Sequence, residues 1–265
     1  MIRLRPRCPR STASIGALVA AVICFILVPA CARKPAASTA VAEGPGSLDG
    51  VWLNNDYKGS SSHPERERVL HTVDGELPPM LPWASELLTK RIQDSEAGSP
   101  FASTLALCLP GGIPLMLFGD DVPVQILETP AQVTMLFMEG NRFRTIPMNA
   151  SHPQEIDPSY MGDAVGRWEG DTLVIDNVGF IERTTLDQIG MPHTEKLHVT
   201  ERYRRTGKES MEIRVTIDDP GTFTRPWDAR VNYRLAPPGT RATEDICENN
   251  RNPPDAQGRS GFQRF

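Results

Sequence analysis

The second half of the sequence is a succession of short segments in which apolar and polar residues alternate. In the clearest one, Ser210 to Ile217, every second residue is apolar. A period of two is typical of a β-strand that buries one face. Turn-forming residues separate further segments of this kind: 122–128, 132–138, 142–148, both halves of 160–180, 196–205 and 229–235. Many short strands at close spacing predict a mainly β fold, an antiparallel meander that forms a barrel or a sandwich.

One stretch has the period of a helix instead. Pro82 suits a first helical turn, and the apolar residues that follow it lie near one face: Trp83, Leu87, Leu88 and Ile92. We therefore expect a single helix over about Pro82–Asp94, packed against the sheet. Two short apolar runs, 68–73 and 115–118, are predicted to be strands.

The N-terminus has the layout of a secretory signal. Four Arg within the first ten residues precede an apolar run from Ile15 to Ala30 that is too short for a comfortable membrane span. Cys31 follows this run as in a bacterial lipoprotein, so lipidation of Cys31 at the periplasmic face of a membrane is expected. Plain secretion and a retained anchor are the alternatives. We predict a signal peptide (1–30), a lipid-anchored flexible tether (31–47), one β-rich domain (48–248) and a loosely ordered tail (249–265).

Export changes how the cysteines and the charge are interpreted. Cys108 and Cys247 are the two cysteines of the globular part, and in an oxidising compartment two such residues most simply form a disulfide, with two buried thiols as the alternative. Loss of the four leader Arg, with no acid, lowers the formal charge from −5 to −9. This balance argues against a nucleic-acid partner and against binding to anionic membrane surfaces, so membrane contact is expected through the lipid anchor only.

The strand predicted around Leu197–Arg204 must place charge on both of its faces. Alternation puts Glu201 and Tyr203 on the more apolar face, and His198 and Arg202 on the other. A carboxylate among apolar neighbours has a raised pKa, as a general acid or base needs, unless an Arg pairs with it. An ion pair of Glu201 with Arg167 or Arg144 is therefore the structural alternative.

Histidines and acids elsewhere suggest a second kind of site. His152, His193 and His198, with Asp163 or Asp187, are candidates for a His/carboxylate cluster, and separate unrelated histidines are the alternative. The spacing of five between His193 and His198 suits neither a helix face nor a strand face, so no metal site is predicted. The central segment 160–180 reads as a tight hairpin, in which Asp163 and Arg167 are pocket candidates.

Several motifs carry a resemblance that covers most of the chain after the tether. They are C-L-P-G-G-I-P from Cys108, G-D-A-V-G-R-W-E-G-D-T-L-V-I-D from Gly162, L-H-V-T-E-R-Y-R-R from Leu197 and I-C-E-N-N from Ile246. Together they resemble a widespread family of exported proteins of soil proteobacteria and acidobacteria. The resemblance implies export and brings no activity with it. Separately, Gly50-Val51-Trp52 is similar to the G-x-W that opens the first strand of lipocalin-like barrels.

These observations lead to a functional hypothesis with alternatives. An exported lipoprotein with a barrel cavity would bind a small, mostly apolar molecule without a cofactor, through the ligand-binding candidates Trp52, Arg167, Trp168, Arg202 and Tyr203. The first alternative is a cofactor-free isomerase, hydratase or lyase, with Glu201, His198, Asp163 and His152 as acid-base residues in the same cavity. An interaction module of the cell envelope is the second.

Overall fold

The fold is known from a computed structural model that describes residues 46–56, 68–118, 123–241 and 243. Nine strands lie in this part of the chain: β1 Gly50–Asn54, β2 Val124–Glu128, β3 Gln132–Phe137, β4 Arg142–Pro147, β5 Asp163–Glu169, β6 Thr172–Val178, β7 His198–Gly207, β8 Ser210–Asp218 and β9 Trp227–Leu235. The helices are α1 Pro82–Glu96 and the single turn α2 Leu115–Phe118, with 3₁₀ turns at Leu105–Leu107 and Glu139–Asn141.

All nine strands belong to one antiparallel sheet. Their spatial order is β4-β3-β2-β1-β9-β8-β7-β6-β5, so β1 lies between β2 and β9 and joins two meanders. The sheet curls into a nearly closed barrel, since its two end strands approach each other. The predicted fold class is thereby confirmed: mainly β, an antiparallel meander resembling a lipocalin-like barrel, with one substantial helix.

The barrel approaches closure where the end of β4 meets β5. Met148 forms a parallel bridge with Gly166, and the backbone N–H of Asn149 donates to the carbonyl of Gly166 at 2.7 Å. A Cβ at position 166 would lie 2.8 Å from the sulfur of Met148 and 2.9 Å from a methyl of Ile146. Glycine therefore fits position 166, because a side chain there would have to displace Ile146 and Met148 at the closing seam.

The inner face of the sheet is the core. In β8, Met211, Ile213, Val215 and Ile217 are fully buried, as the alternation predicted. α1 contributes Ala84 and Leu88 to the buried set. Trp83 was expected on the buried face, but it is 43% exposed, and its indole N–H donates to the carbonyl of Gly221. Trp83 therefore fastens α1 to the β8–β9 connection.

Two predicted strands are wrong. Residues 68–73 form no strand because their backbone bonds to isolated partners and not along a neighbouring strand: the N–H of Leu70 donates to the carboxylate of Asp187 at 3.0 Å, and that of Val73 to the carbonyl of Asp228 in β9 at 2.8 Å. The run Leu115–Phe118 is the buried helical turn α2. A four-residue apolar run has no period that could distinguish a buried strand from a buried helical turn.

Several predictions concern residues that the structure does not describe. The signal segment 1–30, Cys31, nearly all of the tether, Cys247 and the tail 249–265 lie outside the described residues and stay predictions. Among the described helices, none has the length and apolar character needed to cross a membrane.

Candidate functional site

Strand β7 places the candidate residues on two faces of the sheet. Glu201 and Tyr203 point into the barrel and are almost fully buried, whereas His198 points outward and is partly exposed. The neighbours of Glu201 across the sheet are Ile175 on β6 and Val215 on β8. Glu201 is therefore a carboxylate on an apolar wall, as the alternation indicated.

Arg144 supplies the partner of this carboxylate from β4, beyond the closing seam. Its Nη1 donates to Oε1 of Glu201 at 2.8 Å and its Nη2 to Oε2 at 2.5 Å, which is a bidentate ion pair. The hydroxyl of Tyr203 donates to Oε2 of Glu201 at 2.6 Å and accepts from Nη2 of Arg144 at 2.9 Å. We call Arg144, Glu201 and Tyr203 the inner cluster. Of the two ion-pair partners left open from the sequence, Arg144 is the one observed.

The inner cluster has a defined protonation pattern. Burial favours the neutral form of Arg144, but the pKa of Arg144 is raised overall because Glu201 lies against it. Burial and the neighbouring Glu201 raise the pKa of Tyr203 well above its ordinary value. Arg144 thus stays charged and Tyr203 keeps its proton, so both act as donors to Glu201.

One donor of the inner cluster is unused. Nε of Arg144 is buried and has no hydrogen-bond partner among the described residues. Its surroundings are apolar or weakly polar, with Sδ of Met135 at 3.2 Å from Nη2 and the ring of Phe137 centred 6.0 Å from the guanidinium carbon. A buried polar group without a partner calls for an explanation such as a water or a ligand atom.

Trp52 also belongs to the interior. It is fully buried, and its indole N–H donates to the carbonyl of Leu48 at 2.8 Å. The guanidinium of Arg205 lies 5.2 Å from its ring centre. Because the N–H is already used, Trp52 offers a ligand its apolar ring only.

A second group of candidates meets on the outer face. His152, in the β4–β5 connection, lies between two carboxylates: its Nδ1 is 2.5 Å from Oδ1 of Asp163 and its Nε2 is 2.9 Å from Oδ2 of Asp176. The other oxygen of Asp176 is 2.6 Å from Nε2 of His198. We call these four residues the outer cluster. Three of its residues, His152, Asp163 and His198, were predicted from the sequence as acid-base residues. The fourth acid-base residue predicted there, Glu201, lies on the opposite face of the sheet.

The contacts within the outer cluster raise the pKa of His152 and lower that of Asp176. Partial burial lowers the pKa of His152, but the hydrogen bonds to Asp163 and Asp176 outweigh this and raise it overall. For Asp176, partial burial raises the pKa, and the bonds from His198 and His152 lower it overall. Since both ring nitrogens of His152 face carboxylate oxygens, the imidazolium is the form that satisfies both contacts.

Sequence reasoning missed Asp176. It lies in the same hairpin as Asp163, but only the pairing of Asp176 with Thr200 on β7 brings it diagonally beside His198. The alternation within β6 does place Asp176 on the outer face. Without the β6–β7 register, however, it does not show which residues of β7 lie beside Asp176.

Arg167, Trp168 and Arg202 do not join the inner cluster. Arg167 and Arg202 lie on the solvent side, where both donate to the carboxylate of Glu169, at 2.6 Å and 2.9 Å. Trp168 is the cross-strand partner of Leu173, near the end of β5, and is 38% exposed. Their part in ligand binding stays a prediction, and the exposed ion pairs account for the two arginines without a ligand.

His193 and Asp187 belong to neither cluster. His193 is buried beside the hydroxyl of Thr184, and burial lowers its pKa, which suits a neutral ring. Asp187 accepts hydrogen bonds from the backbone N–H groups of Leu70, Gly190 and Met191. Both therefore hold loops in place. Cys108 ends the 3₁₀ turn, and its predicted bond to Cys247 stays a prediction.

Within the described part of the chain, no group of three or more His, Cys, Asp or Glu has the arrangement of a metal site. Comparison of the sequence with protein-family models and with curated proteins gives no match in either case. The chemistry of the inner and outer clusters is therefore the basis for a functional proposal.

Proposed function

We propose that this protein is an exported, lipid-anchored barrel that binds a small, mostly apolar molecule in its interior. The observation that carries the proposal is the inner cluster, a connected set of polar side chains on a largely apolar wall, in which one buried donor, Nε of Arg144, is unused among the described residues. Pockets of this kind combine apolar lining with a few polar groups that orient the ligand.

The inner wall supports an apolar ligand. Around the inner cluster the wall includes fully buried aliphatic and thioether side chains: Met135, Ile146, Leu173, Ile175, Ile213 and Val215. Such side chains interact by dispersion and by excluding water, and they offer no hydrogen bonds. A bound molecule would therefore have to be apolar over most of its surface.

The inner cluster favours a ligand that carries one polar group, and this group should be uncharged. The positive charge of Arg144 is already matched by Glu201 through two hydrogen bonds. A ligand carboxylate would add a second negative charge in the interior with no counter-charge, which is costly. A carbonyl, ether or hydroxyl oxygen would accept from Nε of Arg144 without this cost.

Localisation is supported by the sequence alone. The Arg-rich start, the apolar run to Ala30 and the following Cys31 favour a lipoprotein. Replacement of Cys31 by Ser is expected to release the protein from the membrane fraction. Retention in that fraction would contradict lipid anchoring.

Mass spectrometry of natively purified protein tests the binding proposal. The full-length lipoprotein is extracted in mild detergent, weighed under native conditions, and then denatured so that bound molecules can be identified. We expect a mostly apolar compound with a neutral oxygen. In the double variant Arg144→Met/Glu201→Leu, the affinity for this compound should fall about tenfold, the value of one good hydrogen bond to a charged donor, and its occupancy should fall with it.

A matched control is available on the outer face. Arg230 and Glu212 form an exposed pair at 3.8 Å, so Arg230→Met/Glu212→Leu makes the same chemical change outside the barrel. This control should keep the ligand. Equal loss in both double variants, or no bound molecule in the wild type, would contradict the binding proposal.

A second candidate function is acid-base catalysis, and the outer cluster is the observation that favours it. In the interior, both oxygens of Glu201 are engaged by Arg144 and Tyr203. The three other acid-base candidates, together with Asp176, form a chain of titratable groups that solvent reaches. An acid-base reaction is therefore proposed for the outer face, not for the barrel cavity.

A further inference from the structure

We propose that His198 is the general base of the outer cluster, that its Nδ1 is the atom that accepts the proton, and that Asp176 positions it. The inference rests on the second candidate function and deepens it, because it identifies the reactive atom and the charge of the substrate. It is independent of ligand binding inside the barrel.

The tautomer of His198 follows from its contact with Asp176. Nε2 lies 2.6 Å from Oδ1 of Asp176, and a carboxylate oxygen only accepts hydrogen bonds, so Nε2 carries the proton. In the neutral ring the lone pair is then on Nδ1. None of the described residues bonds to Nδ1, and the side chain is 43% exposed. A carboxylate that fixes the tautomer and orientation of a histidine is the arrangement that makes its other nitrogen a base.

His152 supports this arrangement from the far side of Asp176. Its Nε2 lies 2.9 Å from Oδ2, and its Nδ1 is held by Asp163 at 2.5 Å. The imidazolium of His152 favours the ionised form of Asp176, in agreement with the lowered pKa of that carboxyl. An ionised Asp176 in turn stabilises the imidazolium that forms when His198 takes up a proton.

The charges around His198 define the class of substrate. Asp176 faces it from β6 and Asp218 is its cross-strand partner on β8, while Asp163 and His152 lie behind Asp176. Three carboxylates and one imidazolium leave the site negative when His198 is neutral. An anionic substrate is therefore disfavoured, and a neutral or cationic substrate is favoured.

The proposed step balances without a cofactor. Nδ1 of His198 takes a proton from a water molecule as the water oxygen bonds to an electrophilic carbon of the substrate. The imidazolium then returns this proton to the leaving oxygen as its bond to that carbon breaks. Asp176 keeps the Nε2 proton of His198 in place throughout and is a positioning residue.

A neutral and an anionic ester serve as probes of this step. With the full-length protein, hydrolysis of ethyl dichloroacetate and of the monoethyl oxalate anion is measured, each relative to the same reaction with free imidazole. We expect the neutral ester to react faster, on the normalised scale, and more slowly in D₂O than in H₂O. His198→Gln should lower the rate at least about tenfold. The matched control His71→Gln changes a histidine outside the outer cluster, whose Nδ1 bonds to the carbonyl of Val69, and should keep the rate.

Asp176 is tested by readouts that a purely structural role would not change. In ¹⁵N NMR spectra, neutral His198 should be the Nε2–H tautomer, and Asp176→Asn should remove this preference and shift the pH profile of hydrolysis. Circular dichroism checks that each variant is folded. A wild-type Nδ1–H tautomer, or an unchanged rate in His198→Gln, would overturn the inference.

The variants also separate this inference from the candidate function beneath it. If His152→Gln lost the activity while His198→Gln kept it, His198 would not be the base, and acid-base catalysis by the outer cluster would stand. If neither variant changed the rate, both ideas would fail.

Discussion

The inner ion pair can be tested by a double-mutant cycle that measures the free energy of unfolding. Replacing Glu201 by Leu removes the counter-charge that Arg144 bonds in the barrel and leaves a charged guanidinium on an apolar wall. Replacing Arg144 by Met leaves the Glu201 carboxylate with Tyr203 alone. The double variant Arg144→Met/Glu201→Leu removes both charges and keeps similar side-chain volumes.

The magnitudes follow from the burial of both partners. Glu201 is fully buried and Arg144 almost so, and breaking such a pair from one side costs about 3–5 kcal/mol of unfolding free energy. Among the residues that the structure describes, none accepts from Nε of Arg144 even in the wild type, so they offer the unpaired guanidinium no spare acceptor. The double variant should lie within about 1–2 kcal/mol of the wild type, because replacing a buried pair by apolar groups is often near neutral. The two changes should therefore be strongly non-additive.

Urea unfolding measures these differences. The fluorescence of buried Trp52 and Trp227 reports on unfolding of the core. The unfolding free energies of the variants are compared where the slope of free energy against urea concentration is unchanged. The outer pair of Arg230 and Glu212 provides the control cycle, with a coupling of no more than about 1 kcal/mol. Single inner variants that cost less than about 1 kcal/mol, or a double variant as unstable as the sum of both, would refute the buried ion pair.

Three further predictions concern other parts of the fold. Gly166→Val should destabilise the protein by about 1–3 kcal/mol in urea unfolding, since the added side chain meets the closing seam, whereas Gly46→Ala, with open space around it, should be near neutral. Because the pKa of His152 is raised in the fold, its stabilising contribution, about 1 kcal/mol, should be present below pH 6.5 and lost as pH rises through the folded pKa; thermal melts of the wild type and His152→Gln should converge at alkaline pH, and a constant gap would contradict this. In natively exported protein, a thiol reagent should label Cys108 and Cys247 only after reduction. Labelling without reductant would contradict the disulfide.

Local pattern was enough to predict most of the strands and which residues share a face. In β7 the alternation places Glu201 with Tyr203 on one face and His198 on the other, and the structure shows that the face of Glu201 is the inner one. The pattern works here because one face of each strand is buried and the side-chain period is two. It failed at 68–73, where the backbone bonds to isolated residues distant in sequence, and at 115–118, where a single buried helical turn forms.

Contacts between distant segments could not be predicted in the same way. Arg144 and Glu201 are 57 residues apart, and they meet only because β4 and β5 close the barrel. The sequence left Glu201 either as an acid-base residue with a raised pKa or as a partner in an ion pair with Arg167 or Arg144. The choice depends on strand order and register, which a single sequence does not contain. The same holds for His152, which reaches Asp176 through a loop.

Strand β7 explains why one barrel has two polar sites with different chemistry. Glu201 is turned inward, where it is fully buried and Arg144 and Tyr203 bond both of its oxygens, so the cluster is suited to orienting a neutral group. His198 is three residues earlier and turned outward, where Asp176 holds one nitrogen and solvent reaches the other. A carboxylate held in a fixed ion pair is a poor proton carrier, and a half-exposed histidine is a poor anchor for an apolar ligand. Binding is therefore proposed for the inner face of β7, and proton transfer for its outer face.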